Sequence, residues 1–355
     1  MPRKTKPKSD IPASAQLLPM TFGFMTAQAI SVAAKLGVAD LLGKGAKGVD
    51  ELAQATGVKA KPLYRILRAL ASVGIFSEDS AGRFRLTPLA EPLRSDAPDS
   101  LRAFAIFLGA DWHWRVWSEL FYSAQAGQPG FEYIYGKSYF DYLAENPGPA
   151  KVFNDAMTSF SASVSGAVID AYDFTGIKKL VDVGGGHGLL LASILEKYPR
   201  MTGVLFDAPS VVEGAKHVIE THGVGRRCET VGGDFFESVP ARADACIMKH
   251  IIHDWEDERA LIILKNCHRA ITRNGKLLVV EMVIPEGNTP SLGKLLDLEM
   301  LLFLHSYERT EAEYRALFEQ AGFKLTRIVA TALHSVIEAV RTECPEARSS
   351  QRRMP

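Results

Sequence analysis

Cysteine is scarce: Cys228, Cys246, Cys267 and Cys344 are the only four in 355 residues, with neither Cys-x-x-Cys spacing nor histidine partners. That speaks against a zinc site or a disulfide framework and for a reducing compartment. Net charge is lacking too. Lys plus Arg and Asp plus Glu each number 41, so no global field draws the chain toward nucleic acid or a membrane. No apolar run reads as long enough for a bilayer span. The basic start MPRKTKPKSDIPAS has no apolar segment of the secretory kind, which makes cytoplasm the expected location. Internal repeats and long low-complexity tracts are missing. Two phosphate-binding patterns also fail. Counted from Gly184 or Gly186, the third position of G-x-G-x-x-G falls on Leu189 or Leu191, which disfavours NAD. No Lys-Ser or Lys-Thr follows the glycines, which disfavours a P-loop.

What is present is VDVGGGHG, Val181 to Gly188, followed by the helical stretch LLLASILEKY and, two dozen positions on, by VLFDAP with its acid at Asp207. This reads as strand, tight turn and helix, with backbone N–H groups open to a ligand around Gly184. A glycine turn without a phosphate partner, plus an acid able to accept both ribose hydroxyls, suits S-adenosylmethionine. The plainer reading is a turn that lets strand and helix pack closely. ETVGGDFFESVP then sets Asp234 and Phe235 just past a short strand, where an acid can bind an adenine amine and a ring can stack on the base. ADACIMK reads as a buried strand ending at Lys249, with His250 and His253 just beyond. Ligands of open α/β sheets bind beyond the carboxyl ends of the strands, which is where these residues fall.

With 47% hydrophobic and 23% charged residues, the chain can bury substantial cores, and its length suggests two or three domains. AQAISVAAKLGVADLL is apolar at helical spacing as far as Gly43. GVDELAQATGVKAKPLYRILRALASVGIF reads as helix, glycine turn and helix, and FSEDSAGRFRLTPLAEPL as a two-stranded wing. A winged helix raises the question of DNA binding. Between Asp50 and Arg85, however, six basic residues face four acidic ones, a weak footprint for phosphate contacts. DWHWRVWSEL holds Trp112, Trp114 and Trp117. Core packing accounts for most of them, and Trp112 is kept as a substrate-pocket wall.

From about Gln16 to Val340 the chain resembles the hydroxyl-directed class I methyltransferases typified by plant caffeic acid O-methyltransferase. It is closer to their bacterial antibiotic-tailoring members, such as mitomycin 7-O-methyltransferase. The matching stretches, in the family's order, are VDVGGGHG, FDAP, GDFFESVP, MKHIIHDWEDE, GKLLVVEMVIP, LDLEMLLF and ERTEAEYRALFEQAGF. The resemblance implies a Rossmann-like, seven-stranded α/β methyltransferase domain after an α-helical, winged-helix-like dimerisation domain. The expected division is a disordered tail over 1–14, the dimerisation domain over 15–120, linking helices over 121–165, the cofactor-binding domain over 166–342 and a second disordered tail over 343–355. FKLTRIVA and SVIEAVR are expected to form an antiparallel hairpin.

The resemblance also implies roles. His253 stands at the place of the family's general base, with Glu281 and Glu308 expected to flank its ring. One of the two acids would fix the tautomer and stabilise the imidazolium. Glu308 could instead pair with Arg309 at the surface, and Glu281 could cap the following loop. Met157 and Met300 match methionines that lie against an aromatic acceptor, with plain core filling as the alternative. Lys249 matches a contact to the adenosine side of the cofactor, or is a strand-end lysine reaching solvent. Asp182 is a further cofactor contact, to loop amides or to the methionine ammonium, and Asp254 positions the backbone or the acceptor. The expected activity is S-adenosylmethionine-dependent O-methylation of a small aromatic or polyketide-like metabolite, without a metal, in a homodimer that binds neither nucleic acid nor membrane. The alternatives are a cofactor-binding relative that hydroxylates or decarboxylates, nitrogen or carbon methylation, and a DNA-binding regulator.

Overall fold

A computed structural model of the chain describes residues 12–342. The tail expected over 343–355 and residues 1–11 lie outside the described residues, whereas the helix Ala13–Thr21 begins inside the segment expected to be a disordered tail. The chain divides into two compact units. Residues up to Trp114 together with Gly148–Phe160 form the first, and Arg115–Pro147 together with the residues from Ser161 on form the second. The 25-residue helix Pro147–Ala171 contributes to both.

In the second unit seven strands form one mixed sheet: β1 (Lys179–Val183), β2 (Thr202–Asp207), β3 (Cys228–Gly232), β4 (Ala243–Lys249), β5 (Ile271–Glu281), β6 (Phe323–Ala330) and β7 (Ser335–Arg341). Their order is β6-β7-β5-β4-β1-β2-β3. The first five run parallel, with Val181 between Val204 and Cys246. Near-continuous apolar runs are what a parallel sheet covered on both faces requires. The stretches Leu180–Val183, Gly203–Phe206 and Ala245–Met248 are buried throughout. β7 pairs antiparallel with both β5 and β6, so FKLTRIVA and SVIEAVR do form the expected hairpin. After β1 the chain steps outward through β2 and β3, then returns to place β4 on the other side of β1. At such a reversal the loops on either side of the crossing diverge and leave a crevice at the strand carboxyl ends.

Helices Asp257–Ala270 and Glu311–Gln320 cover one part of the sheet. The first buries Ile263, Leu264 and Cys267, the second Tyr314, Leu317 and Phe318, in one core with Val279 and Ile337. Each large apolar side chain buried this way contributes about 1.5–3 kcal/mol. The second helix is fixed at its start by a reciprocal cap, Thr310 with Glu313.

In the first unit, Leu63, Leu67 and Leu70 form the buried stripe of helix Ala60–Ser72, packed with Leu42, Leu52, Phe76 and Phe84. The structure amends two readings here. The helix expected to continue to Gly43 breaks at Gly37, whose φ of +65° suits glycine, and resumes over Val38–Leu42. The wing has three strands rather than two, because Lys47–Gly48 pairs with Arg83–Leu86, which in turn pairs with Phe76–Glu78. A third reading is corrected as well: the helical stretch Ala13–Lys35, 23 residues long, is long and apolar enough to match a bilayer span by length and composition. Leu17, Leu18, Met20, Phe22, Phe24 and Met25 on it are exposed.

One buried charge ties the hairpin to the rest of the sheet. Glu338 on β7 accepts hydrogen bonds from the Tyr172 hydroxyl, Lys276 Nζ (3.1 Å), Arg327 Nη2 (3.0 Å) and Thr326 Oγ1 (2.9 Å). Burial alone would raise its pKa, but these donors outweigh it and hold the carboxyl at about 2. A carboxyl depressed in the fold adds stability above its unfolded value of about 4.5 and loses it as pH falls through the folded one. Glu338→Gln should therefore destabilise the protein by about 1–3 kcal/mol at pH 7. In chemical denaturation, the gap to the parent should narrow between pH 4.5 and 2.

Candidate active site

The glycine turn sits at the carboxyl end of β1. Gly184, Gly186 and Gly188 have φ of +69°, +60° and +79°. At Gly184 a Cβ would come within 2.4 Å of Ile251 Cδ1, whereas at Gly186 it would meet nothing within 4 Å. The first glycine therefore admits the loop after β4, and the second faces open space. Asp207, at the end of β2, accepts the Gly186 N–H on Oδ2 (2.8 Å) and the Ala208 N–H on Oδ1 (2.7 Å). It thus braces the turn while each oxygen keeps a second lone pair. Burial raises its pKa against these two amides.

Asp182 is 1% exposed, and its Oδ2 has no partner among the described residues. Burial lifts its pKa to about 7, opposed by Lys249 and reinforced by Asp207. Lys249 does not reach into solvent: its Nζ hydrogen-bonds Ser161 Oγ, and burial lowers it to about 8 in spite of Asp182. At the end of β3, exposed Asp234 accepts the Phe236 N–H (2.8 Å). Half-buried Phe235 meets Phe236 and Trp255 edge-on at 4.9 and 6.2 Å. A buried acceptor without a donor, an open glycine and a second acid with spare lone pairs match a ligand that brings an ammonium and vicinal hydroxyls. S-adenosylmethionine is such a ligand.

Just past β4, His253 lies in the short turn Ile252–Asp254 and is 8% exposed. Its Nδ1 is 2.8 Å from Glu308 Oε1, and its Nε2 is 3.4 Å from Asp254 Oδ1. Glu281, expected beside the ring, has a different task. Its Oε1 accepts the backbone N–H groups of Ile251 (3.1 Å), Ile252 (2.7 Å) and His253 (3.2 Å), and its Oε2 accepts the Tyr314 hydroxyl. It holds the loop and is fully buried. Arg309 holds the same loop by its carbonyls, donating to Ile252 O (3.0 Å) and Trp255 O (2.8 Å) and pairing with Asp257. Arg309 is buried, so a surface Glu308–Arg309 pair does not form.

The imidazole thus stands among carboxylates. Burial works against its charge, but Asp254, Glu308 and Glu281 outweigh burial and raise its pKa to about 10. Asp254 moves up to about 7, mainly by burial, and Glu308 also moves up by burial, with His253 opposing in both.

Met300 is buried on helix Gly293–Phe303 of the second unit. Met157, half-buried, and Trp112, 5.8 Å from the Phe107 ring, belong to the first. Tyr314 and Ser161 were not singled out in the sequence, and Arg309 was named only as a surface partner of Glu308. Tyr314, Leu317 and Phe318 share the buried face of one helix, which marks Tyr314 as buried but not as a partner of Glu281. Among the described residues no group of three or more His, Cys, Asp or Glu could hold a metal ion.

Residues 117–324 match the model of the O-methyltransferase domain, and residues 18–96 that of the O-methyltransferase dimerisation domain. The chain is 47% identical over 330 residues to a phenazine O-methyltransferase, PhzM, of Lysobacter antibioticus, covering 93% of this chain and 96% of that one. It is 38% identical to the mitomycin biosynthesis 6-O-methyltransferase of Streptomyces lavendulae, covering 86% and 87%. The SAH-bound crystal structure of CalO1, a methyltransferase in calicheamicin biosynthesis, superposes with a TM-score of 0.86 at 34% identity, over 94% of this chain and all of that one.

A histidine raised by its neighbours stabilises the fold below its unfolded pKa of about 6.5, and that contribution is lost as pH rises through the folded value of about 10. In an NMR titration the His253 ring should stay protonated well above pH 7. Glu308→Gln should lower its midpoint by a unit or more; an unmoved midpoint would break the link between ring and acid.

Proposed function

Because this chain belongs to the O-methyltransferase family and is an S-adenosylmethionine-dependent enzyme, we propose that it methylates a hydroxyl of a planar aromatic secondary metabolite, with His253 as general base. The observation that carries this reading is the buried His253–Glu308 contact of 2.8 Å at the carboxyl end of the parallel sheet. The high identity to a phenazine O-methyltransferase supports a fused-ring phenol as the acceptor class.

When bound, S-adenosylmethionine supplies an electrophilic methyl group. The chain's task is to hold the donor, align the acceptor oxygen and accept its proton. For the donor, the free Oδ2 of Asp182 suits the ammonium and Asp207 the ribose hydroxyls, while Asp234 and Phe235 past β3 are assigned to the adenine and Lys249, at the end of β4 on the other side of β1, to the adenosine. A phenol with pKa near ~10 is largely protonated at neutral pH. His253 Nε2 accepts that proton, and Glu308 on Nδ1 stabilises the imidazolium as it forms. A positioned base contributes roughly 10²-fold to 10⁴-fold. The same carboxylates keep the resting ring protonated, so turnover should rise with pH toward the alkaline range. Glu281 acts through the backbone and is a positioning residue. Asp254 and Met300 are proposed to contact the acceptor, and no metal is assigned a part.

His253→Ala should bind S-adenosylhomocysteine within about threefold of the parent in calorimetry, yet methylate hydroxyphenazines at least 100-fold more slowly. Asp207→Ala should do the reverse, losing affinity for S-adenosylhomocysteine. Near-parental turnover in His253→Ala would remove the base from the reading. Labelled methyl transfer to an amine in place of a phenol would replace oxygen by nitrogen as the acceptor.

The match to the dimerisation domain, with the exposed Leu17, Leu18, Met20, Phe24 and Met25 at its start, supports a homodimer formed through the first unit. A contiguous apolar face of that kind is a partner surface rather than a solvated one. Met20→Glu combined with Phe24→Glu should shift the mass in light scattering from dimer to monomer.

A further inference from the structure

His250 is one of two residues other than glycine with a positive φ among those described, at +57°. A side chain with a Cβ disfavours that region, and such an outlier calls for a compensating constraint. The backbone shows what the conformation achieves. His250 N–H still bonds Val280 O (3.2 Å), continuing the ladder, and Ile251 then takes φ −118° and ψ −49°. The left-handed step followed by a right-handed one turns the next three N–H groups to a common side, a concavity that binds an anion. The Glu281 carboxylate occupies it.

Glycine would adopt this φ at no steric cost, yet the position holds a histidine, and its side chain is engaged. His250 Nε2 lies 2.7 Å from Nε2 of His334, which follows Leu333 in the turn between β6 and β7. One ring donates and the other accepts. His334 is 2% exposed, and its own backbone is tied by Thr331, which donates its N–H (2.8 Å) and hydroxyl (2.9 Å) to the His334 carbonyl and accepts the His334 N–H on Oγ1 (3.1 Å). The groups facing His250 are His334, the His253 ring at a centroid distance of 5.5 Å, and Lys249. Burial and these neighbours push His250 well below the usual histidine range, and burial chiefly takes His334 down to about 4. Both rings are therefore neutral across the working pH range, and one shared proton joins them.

We propose that the His250–His334 hydrogen bond is a positioning device for the base: it anchors the left-handed turn after β4 to the β6–β7 hairpin, and so keeps Glu281 seated under the loop that carries His253. The functional consequence rests on the reading of His253 as base, but the structural part does not.

The test uses the full-length protein with ¹⁵N-labelled histidine. At neutral pH the parent should show one downfield imidazole N–H resonance correlated with Nε2 of both His250 and His334. His334→Leu removes it, and His334→Gln keeps a hydrogen-bonding group at the same reach. In His334→Leu the His253 midpoint should fall by at least half a unit as Glu281 loosens. Turnover should drop about tenfold, with S-adenosylhomocysteine affinity within about twofold, and His334→Gln should recover most of both. Thermal melting shows whether each variant is folded. An unmoved His253 midpoint in a folded His334→Leu overturns the inference. A moved midpoint with parental turnover upholds the turn and overturns instead the assignment of His253 as base.

Discussion

A single buried carboxylate, Glu281, organises this site. Its Oε1 gathers three consecutive backbone donors from Ile251 to His253, while the Arg309 guanidinium takes carbonyls from the same short loop. Each ion alone would be costly to bury. Here the loop between them supplies donors to the anion and acceptors to the cation, and Tyr314 and Asp257 complete the two shells. A turn too short to hold itself rigidly is thereby fixed from both sides by strands and helices that the core already immobilises.

That rigidity matters because the electrostatics around the imidazole are opposed. Burial would strip its charge, and the surrounding acids restore it. The outcome depends on distances of a few ångströms in a region of low dielectric, where small displacements carry large energies. The backbone clamp of Glu281 and Arg309 holds the loop that sets those distances. The neutral His250–His334 pair lies beside the same imidazole, with the His250 ring at a centroid distance of 5.5 Å, where a further cation would work against both the imidazole and Lys249.

Much of this was legible in the sequence. Buried strands announced themselves as apolar runs, the glycine turn by its composition, and the acids at strand ends by position. The seven-stranded sheet and the hairpin of FKLTRIVA and SVIEAVR were implied by the family resemblance rather than by those signals. What did not follow were side-chain destinations across the fold. Glu281 reads as a strand-end acid near a histidine, but whether it meets a ring or three amides is decided by the φ of His250, which no local pattern encodes. Tyr314 was hidden inside a helical stretch whose periodicity reveals burial and not partners, and Arg309 lies in a two-residue strand just before it, too short to show a pattern. The third wing strand, two residues long, is too short for any alternation to show. The apolar stretch from Ala13 to Lys35 is interrupted by polar residues that conceal its total length.

The contact between Gly184 and Ile251 has a consequence for redesign. The glycine turn and the loop bearing the histidine touch there, with no room for even one carbon between them. A side chain introduced at 184 to reshape cofactor preference would press on Ile251, and through it on the amides that Glu281 receives. The shape of the turn and the placing of the imidazole are mechanically linked at this point, so a change in either must be judged by its effect on the other.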